Sequence, residues 1–249
     1  MSLTFSKAIV VGASSGVGAA IAKRLAAGGA AVALLGRRES ELQSVANAIQ
    51  SGGKGRALVV RHDATAYDDV PALFERLVKD LGGLDLVVYA AGLQHASEEH
   101  HYEFAKERQM VEVNLLGAMA WANPAAAFFE AQRSGTMVAI SSIAGTRGRR
   151  TNPGYTTSKA ALSAYWEALR NRVSRYGVNV VTVKPGYVDT AMTHGLELRF
   201  PAVPPGKVAR RVVTRLQKDV GLVYFPSYWW LVTRVLRLMP WWIYRRLRF

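Results

Sequence analysis

The sequence predicts an α/β protein built on a doubly wound parallel sheet of about seven strands, with helices on both faces. Three observations carry this. Short runs rich in Val, Ile, Leu and Ala recur along the chain, apolar on both faces as strands buried between layers must be. Each run is followed by a longer segment of helical period. No linker, repeat or low-complexity stretch interrupts the alternation before residue 200, so right-handed crossovers join neighbouring parallel strands.

In chain order, Lys7–Val11 reads as a strand and Gly16–Ala27 as a helix. Ala31–Leu35 and Arg38–Gln50 repeat the pair, closed by Gly52-Gly53. Strands follow at Arg56–Val60, Leu84–Tyr89, Thr136–Ile140 and Val178–Val183. Helices are expected at Tyr67–Leu81, along much of His101–Ala131 and at Tyr155–Tyr176. VARRVVTRLQKDVGLVYFP, from Val208, then supplies a helix and a last short strand. Residues 1–226 thus form one domain, and 227–249 an appended tail.

Bulk composition narrows the function classes. The chain has 249 residues, half of them hydrophobic and a fifth charged, which is globular composition. It contains no cysteine, so disulfide frameworks and thiolate metal sites are excluded. MSLTFSKAIVVGASSG has no charged region followed by a long apolar run, so no cleaved leader is expected. No uninterrupted apolar window of about 18 residues predicts a spanning helix. The expected location is cytoplasmic, with peripheral membrane contact open. The net charge of +14 is compatible with a solvated basic surface or an acidic partner. No nucleic-acid recognition motif accompanies it, and no nucleic-acid partner is expected.

The first strand runs into VVGASSGVGAAIAKRL, from Val10. Gly12, Gly16 and Gly18 allow a tight turn and close approach of a pyrophosphate, and the helix N-terminus offers free N–H groups. Gly12, Ser14, Ser15, Gly16, Val17 and Gly18 are therefore candidate dinucleotide contacts on a Rossmann-like sheet. The second strand ends in LLGRRES. Gly36 stands where an acidic residue would hold the ribose hydroxyls of NAD, followed by Arg37 and Arg38. Guanidinium groups suit a 2′-phosphate. NADP(H) is thus expected over NAD(H), with Arg37 the principal contact and Arg38 beside it. Two solvated arginines opening a helix are the alternative.

YTTSK places Tyr155 and Lys159 on one face of a helix. A neighbouring ammonium favours the phenolate, bringing tyrosine nearer to acid–base use. Ser142 lies thirteen residues before Tyr155, in VAISSIAG, and Asn114 in VEVNLLGA. The glycine spacing, Ala90-Ala91-Gly92, Asn114, Ser142, Tyr155-x-x-x-Lys159 and PGYVDT at Pro185–Thr190 follow one another over about residues 5 to 190. This order resembles the short-chain dehydrogenase/reductase family.

That resemblance implies roles. Tyr155 would exchange the proton with the substrate oxygen, Ser142 would hold that oxygen, and Lys159 would hold the nicotinamide ribose and tune Tyr155. Asn114 would support a water-linked proton path. Asp63 would lie near the adenine, and Ala91, Gly92, Pro185, Gly186, Val188 and Thr190 along the cofactor. Two departures stand out: Val11 replaces the Thr of the family's TGxxxGxG, and Tyr89-Ala90 replaces both asparagines of NNAG. The second puts a sheet-stabilising contact in doubt. Ser141 is read as structural.

The resemblance also implies a ketone or secondary alcohol as substrate and a homodimer or homotetramer. AMTHGLELRFPAVPPG offers Met192, Leu196, Leu198, Phe200 and Val203 either as an apolar pocket wall or as ordinary packing. A lipid-like ketone is the expected substrate. A 3-oxoacyl-carrier-protein reductase, with Arg147, Arg149 and Arg150 receiving the carrier, is the alternative enzyme. A non-catalytic NADP-binding scaffold is the other reading. His95, His100, His101 and His194 show no metal spacing, although His95 and His194 could line the pocket; no metal is expected.

The tail, SYWWLVTRVLRLMPWWIYRRLRF, holds four of the six tryptophans and five arginines, with no acidic residue. Ser227 is a candidate N-cap and Pro240 a break. A helix in a membrane interface and a segment packed on protein both fit it.

Overall fold

The structure, a computed structural model, describes residues 5–95, 102–194, 200–216, 218 and 220–247. Leu196, Leu198, His100 and His101 lie outside the described residues.

The strands are β1 (Lys7–Val11), β2 (Ala31–Gly36), β3 (Arg56–Arg61), β4 (Leu86–Tyr89), β5 (Gly135–Ile140), β6 (Val178–Pro185) and β7 (Leu222–Phe225). They form one parallel sheet in the order β3-β2-β1-β4-β5-β6-β7. The order reverses direction between β1 and β4. The loops leaving their C-terminal ends therefore diverge and open the crevice where such sheets bind ligands.

Helices α1 (Gly16–Ala27), α2 (Glu39–Ser51) and α3 (Val70–Leu81) are followed by α4 (Phe104–Val111) and α5 (Gly117–Gln132). Then come α6 (Pro153–Val173), α7 (Pro205–Arg215), α8 (Trp229–Leu238) and α9 (Trp241–Tyr244). Because side chains alternate along a strand, β1 sends Ala8 and Val10 to one face and Ile9 and Val11 to the other. On the first face they meet Ile21 and Leu25 of α1, Leu42 of α2 and Val212 of α7. On the second they meet Phe74 of α3, Trp121 and Phe129 of α5, and Trp166 of α6. Two apolar layers of this kind are what the double-faced strands require.

The long helix expected within His101–Ala131 is not regular. Glu112–Leu116 forms a π-helical turn between α4 and α5. The tail divides at Pro240, as its missing N–H dictates, into α8 and α9. Ser227 is not the N-cap of α8. Tyr228 holds that position without a side-chain bond, because the helix starts one residue later than expected. Among the described residues, no helix is long and apolar enough to cross a membrane.

Candidate active site

The crevice above β1 and β4 is a cavity of about 360 Å³. Gly12, Ser14, Ser15, Gly16, Val17, Arg37, Arg38, Asp63, Ala91, Gly92, Pro185, Gly186, Val188 and Thr190 all line it, together with Ser142, Tyr155 and Lys159. Gly18 and Asn114 do not line it, but Gly18 packs on Gly12 and Asn114 on Gly92, which do. Gly12 has φ 85°, and a Cβ there would stand 2.4 Å from the Ala91 nitrogen. A Cβ on Gly18 would stand 2.1 Å from the Gly12 carbonyl oxygen. Both glycines are thus required for the loop to fold back over β4, leaving a backbone cradle of the shape a pyrophosphate fills.

The arginines divide their work. Arg38 donates through Nη2 to the Ser14 hydroxyl at 2.9 Å and the Ser15 hydroxyl at 2.7 Å, drawing a guanidinium onto the glycine loop. Arg37 lies 4.0 Å from the Asp63 carboxylate. Burial works against Asp63 ionising, but hydrogen bonds from the Thr65 backbone and hydroxyl, with Arg37 close by, leave its carboxyl below the ordinary range. Next to it, burial lowers the His62 pKa against the raising influence of Asp63 and Asp69. The ring accepts a 3.2 Å bond at Nε2 from the Trp121 indole. This end of the crevice is therefore built from residues following β2 and β3 and from Trp121 of α5.

At the other end, β5 runs directly into Ser141 and Ser142. Ser141 is turned away: its hydroxyl donates to the Lys159 carbonyl at 3.0 Å and meets Ser163 at 2.8 Å, fastening β5 to α6. Ser142 faces the cavity in extended backbone, its Oγ accepting from the Ala144 N–H at 3.1 Å. Burial raises the Tyr155 pKa, and a hydrogen bond with Ser142 and the charge of Arg149 oppose it. Lys159 is buried one turn on, donating to the Ile140 carbonyl at 3.0 Å, with Nζ 5.9 Å from the centre of the Tyr155 ring. Loss of hydration brings its pKa down to about 8. The arrangement brings a proton donor, a hydroxyl able to orient a substrate oxygen and an easily discharged amine to one recess.

Asn114 is completely buried in the π-helical turn. Its amide donates to the Leu93 carbonyl and the Ser158 hydroxyl, both at 2.9 Å, and its Oδ1 accepts from the Leu93 N–H at 2.7 Å. It thereby ties the segment after β4 to α6 beside Lys159. Widened helical turns commonly serve functional sites, since they redirect one side chain without ending the helix.

Several contributors escaped the sequence reading. Asn152 caps α6 from a left-handed conformation, φ 57°, accepting from the Tyr155 N–H at 3.1 Å and donating to the His95 carbonyl at 2.7 Å. The Asn-Pro pair opening the helix was a usable signal. Arg149, read from sequence only as a carrier contact in the alternative enzyme, lines the cavity near Tyr155. Trp229 of the tail lies against the cavity wall. A Cβ on Gly186 would stand 2.1 Å from the indole Nε1, so only glycine admits the ring.

Some residues stand elsewhere. His95 pairs with Gln109 at 2.8 Å and His194 with Asp189 at 3.1 Å, and neither lines the cavity. Of the expected apolar wall, Met192 reaches the cavity, while Phe200 packs on Trp229 with ring centres 4.9 Å apart. Val203 pairs with Val188 in a short bridge. Among the described residues, no cluster of three His, Asp or Glu side chains could hold a metal.

Comparison with known proteins agrees with this geometry. A family model described as short chain dehydrogenase matches residues 6–199. An uncharacterized oxidoreductase of Staphylococcus epidermidis is 33% identical over 190 residues, covering 76% of this chain and 81% of the relative. One from Staphylococcus aureus is 35% identical over 191 residues, covering 77% and 81%. Among solved structures, one described as a short-chain alcohol dehydrogenase of Sinorhizobium meliloti superposes with TM-score 0.81 at 25% identity, covering 91% of this chain and 96% of that one. An alcohol dehydrogenase of the archaeon Thermococcus sibiricus, complexed with 5-hydroxy-NADP, gives 0.78 at 26% identity, covering 88% and 94%.

Proposed function

Because the chain belongs to the short-chain dehydrogenase family, we propose that it is an NADP(H)-preferring oxidoreductase interconverting a lipophilic ketone and its secondary alcohol. The observation that carries the reading is the convergence of Ser142, Tyr155 and Lys159 on one cavity that also contains the Gly12 cradle. When bound, the nicotinamide group supplies or receives the hydride. Ser142 orients the substrate oxygen. Tyr155 donates its phenolic proton to that oxygen during reduction and withdraws it during oxidation. Lys159, held by Ile140, steadies the phenolate while protonated, and its lowered pKa lets it pass a proton toward the Asn114 turn.

Preference for NADP(H) draws support from Gly36, which offers no carboxylate, and from the two guanidinium groups at the adenine end. Met192 and Tyr187 at the substrate end support an apolar ligand. A homodimer or homotetramer belongs to the proposal on the family resemblance alone, since Ala118, Ala122, Ala125 and Ala126 of α5 are buried in the protein's own core. Arg149 at the cavity favours one second reading, reduction of a 3-oxoacyl group presented by an acidic carrier.

A panel of ketones and 3-oxoacyl thioesters with NADPH and NADH, followed at the nicotinamide absorbance, tests the reading. Turnover of an apolar ketone with NADPH is expected, and Tyr155→Phe should lose it while retaining cofactor binding. A cofactor-loaded wild type inert across the panel would sink the enzyme reading in favour of a scaffold.

A further inference from the structure

The tail has two faces, and only one belongs to the protein. Trp229 and Thr233 of α8 point inward and are buried. Trp229 meets Phe200 and Tyr187, and Arg147 donates to the Leu236 and Met239 carbonyls at the end of α8. The Arg147 guanidinium lies 4.0 Å over the Tyr244 ring, whose hydroxyl donates to the Gly148 carbonyl at 2.8 Å. The tail is thus seated on both segments that border the substrate end of the cavity, Gly186–Tyr187 and Arg147–Gly148.

The outward face is apolar and cationic together. Leu231, Val235 and Leu238 form an exposed stripe at helical spacing, Leu238 being 82% exposed. Trp230, Trp241 and Trp242 flank it, Trp241 at 66% exposure. Arg234, Arg237, Arg245 and Arg246 are exposed among them. Two tryptophans carry a guanidinium over the ring, Arg234 over Trp230 at 4.5 Å and Arg245 over Trp241 at 4.9 Å.

We propose that this outward face, from Trp230 to Arg246, is a docking surface for an anionic lipid bilayer. Tryptophan indoles suit the headgroup level, leucine and valine the acyl boundary, and arginines the lipid phosphates. Charge decides against a second copy of the chain as occupant. No acidic residue lies between Ser227 and Phe249, so pairing this face with itself would bring like charges together. An anionic bilayer complements all four arginines. Because the inward face borders the cavity, docking places the substrate end near the membrane. That consequence rests on the lipophilic substrate proposed above, whereas the docking itself does not.

The test is co-sedimentation of the full chain, without substrate, with phosphatidylcholine vesicles and with vesicles also containing phosphatidylglycerol. The wild type should pellet with the anionic vesicles and be released by high salt. Each arginine near an anionic surface contributes about fivefold in partitioning, so Arg234→Glu/Arg237→Glu should weaken binding by more than about tenfold. Trp241→Ser/Trp242→Ser should weaken it as well, and unchanged NADPH binding in both variants would show that they fold. A wild type left in the supernatant with both vesicle types would overturn the proposal and leave the reductase reading untouched. Equal pelleting with neutral vesicles, or charge reversal that dissociates an oligomer while sparing vesicle binding, would also overturn it.

Discussion

The Tyr89 hydroxyl donates a 2.5 Å hydrogen bond to the Val113 carbonyl, joining the end of β4 to the π-helical turn that carries Asn114. Gly117 makes room for it: a Cβ there would stand 2.5 Å from the Tyr89 oxygen. Tyrosine thus reaches across the gap where the family pattern has the first asparagine of NNAG.

Tyr89→Phe should therefore lower unfolding free energy by about 1–2 kcal/mol, since it strands a buried carbonyl. It should also lower kcat while leaving the dissociation constant for NADPH nearly unchanged, because Asn114 would be less firmly held. Urea unfolding and steady-state kinetics together check this; a stability loss with kcat untouched would remove the positioning role.

The two arginines after β2 should prove unequal. Arg38 bridges the serines of the glycine loop, whereas Arg37 is engaged beside Asp63. Arg38→Ala should raise KM for NADPH by roughly tenfold or more, as loss of charge-assisted bonds implies, with KM for NADH little changed. Arg37→Ala should have the smaller effect, contrary to the order expected from sequence. Gly36→Asp meets only ordinary contacts with Leu42 and Ser14, so it should fold and shift preference toward NADH.

Lys159 makes stability pH-dependent. Burial lowers its pKa from 10.5 to about 8 in the folded chain. Between those values the unfolded chain binds more protons than the folded one, so stability rises with pH and is lost as pH falls through the lower value. Comparing wild type with Lys159→Met, both without added cofactor, from about pH 8 to 9.5 isolates this residue from the buried tyrosines, which act oppositely at higher pH. The wild type should gain about 1–2 kcal/mol relative to the variant across that range.

Arg147 should hold the tail in place. It satisfies carbonyls at the C-terminus of α8, where a cation is also favoured by the helix dipole. Arg147→Ala should speed trypsin cleavage within residues 234–246 several-fold while leaving the core intact, as mass spectrometry of the fragments would show. Unchanged cleavage would mean that Trp229 on Gly186 suffices.

Much of the fold could be read from local pattern. β1 and α1 begin and end where the alternation of apolar strand and helical period places them, and the glycine loop and the Tyr155–Lys159 spacing are properties of adjacent residues. Those features depend on backbone sterics and period, which a short stretch contains in full. The site's finer arrangement does not. Whether Arg37 or Arg38 reaches Ser14, the π-turn around Asn114, and the divided faces of the tail arise where distant segments touch. Arg147 and Leu236 are 89 residues apart, and Tyr89 and Val113 are 24 apart. The sheet, the glycine cradle and the candidate Ser142, Tyr155 and Lys159 were legible in short stretches of the chain. Tertiary packing alone decided which hydroxyl, guanidinium or indole fills each space, because each such contact depends on two segments whose separation no local period encodes.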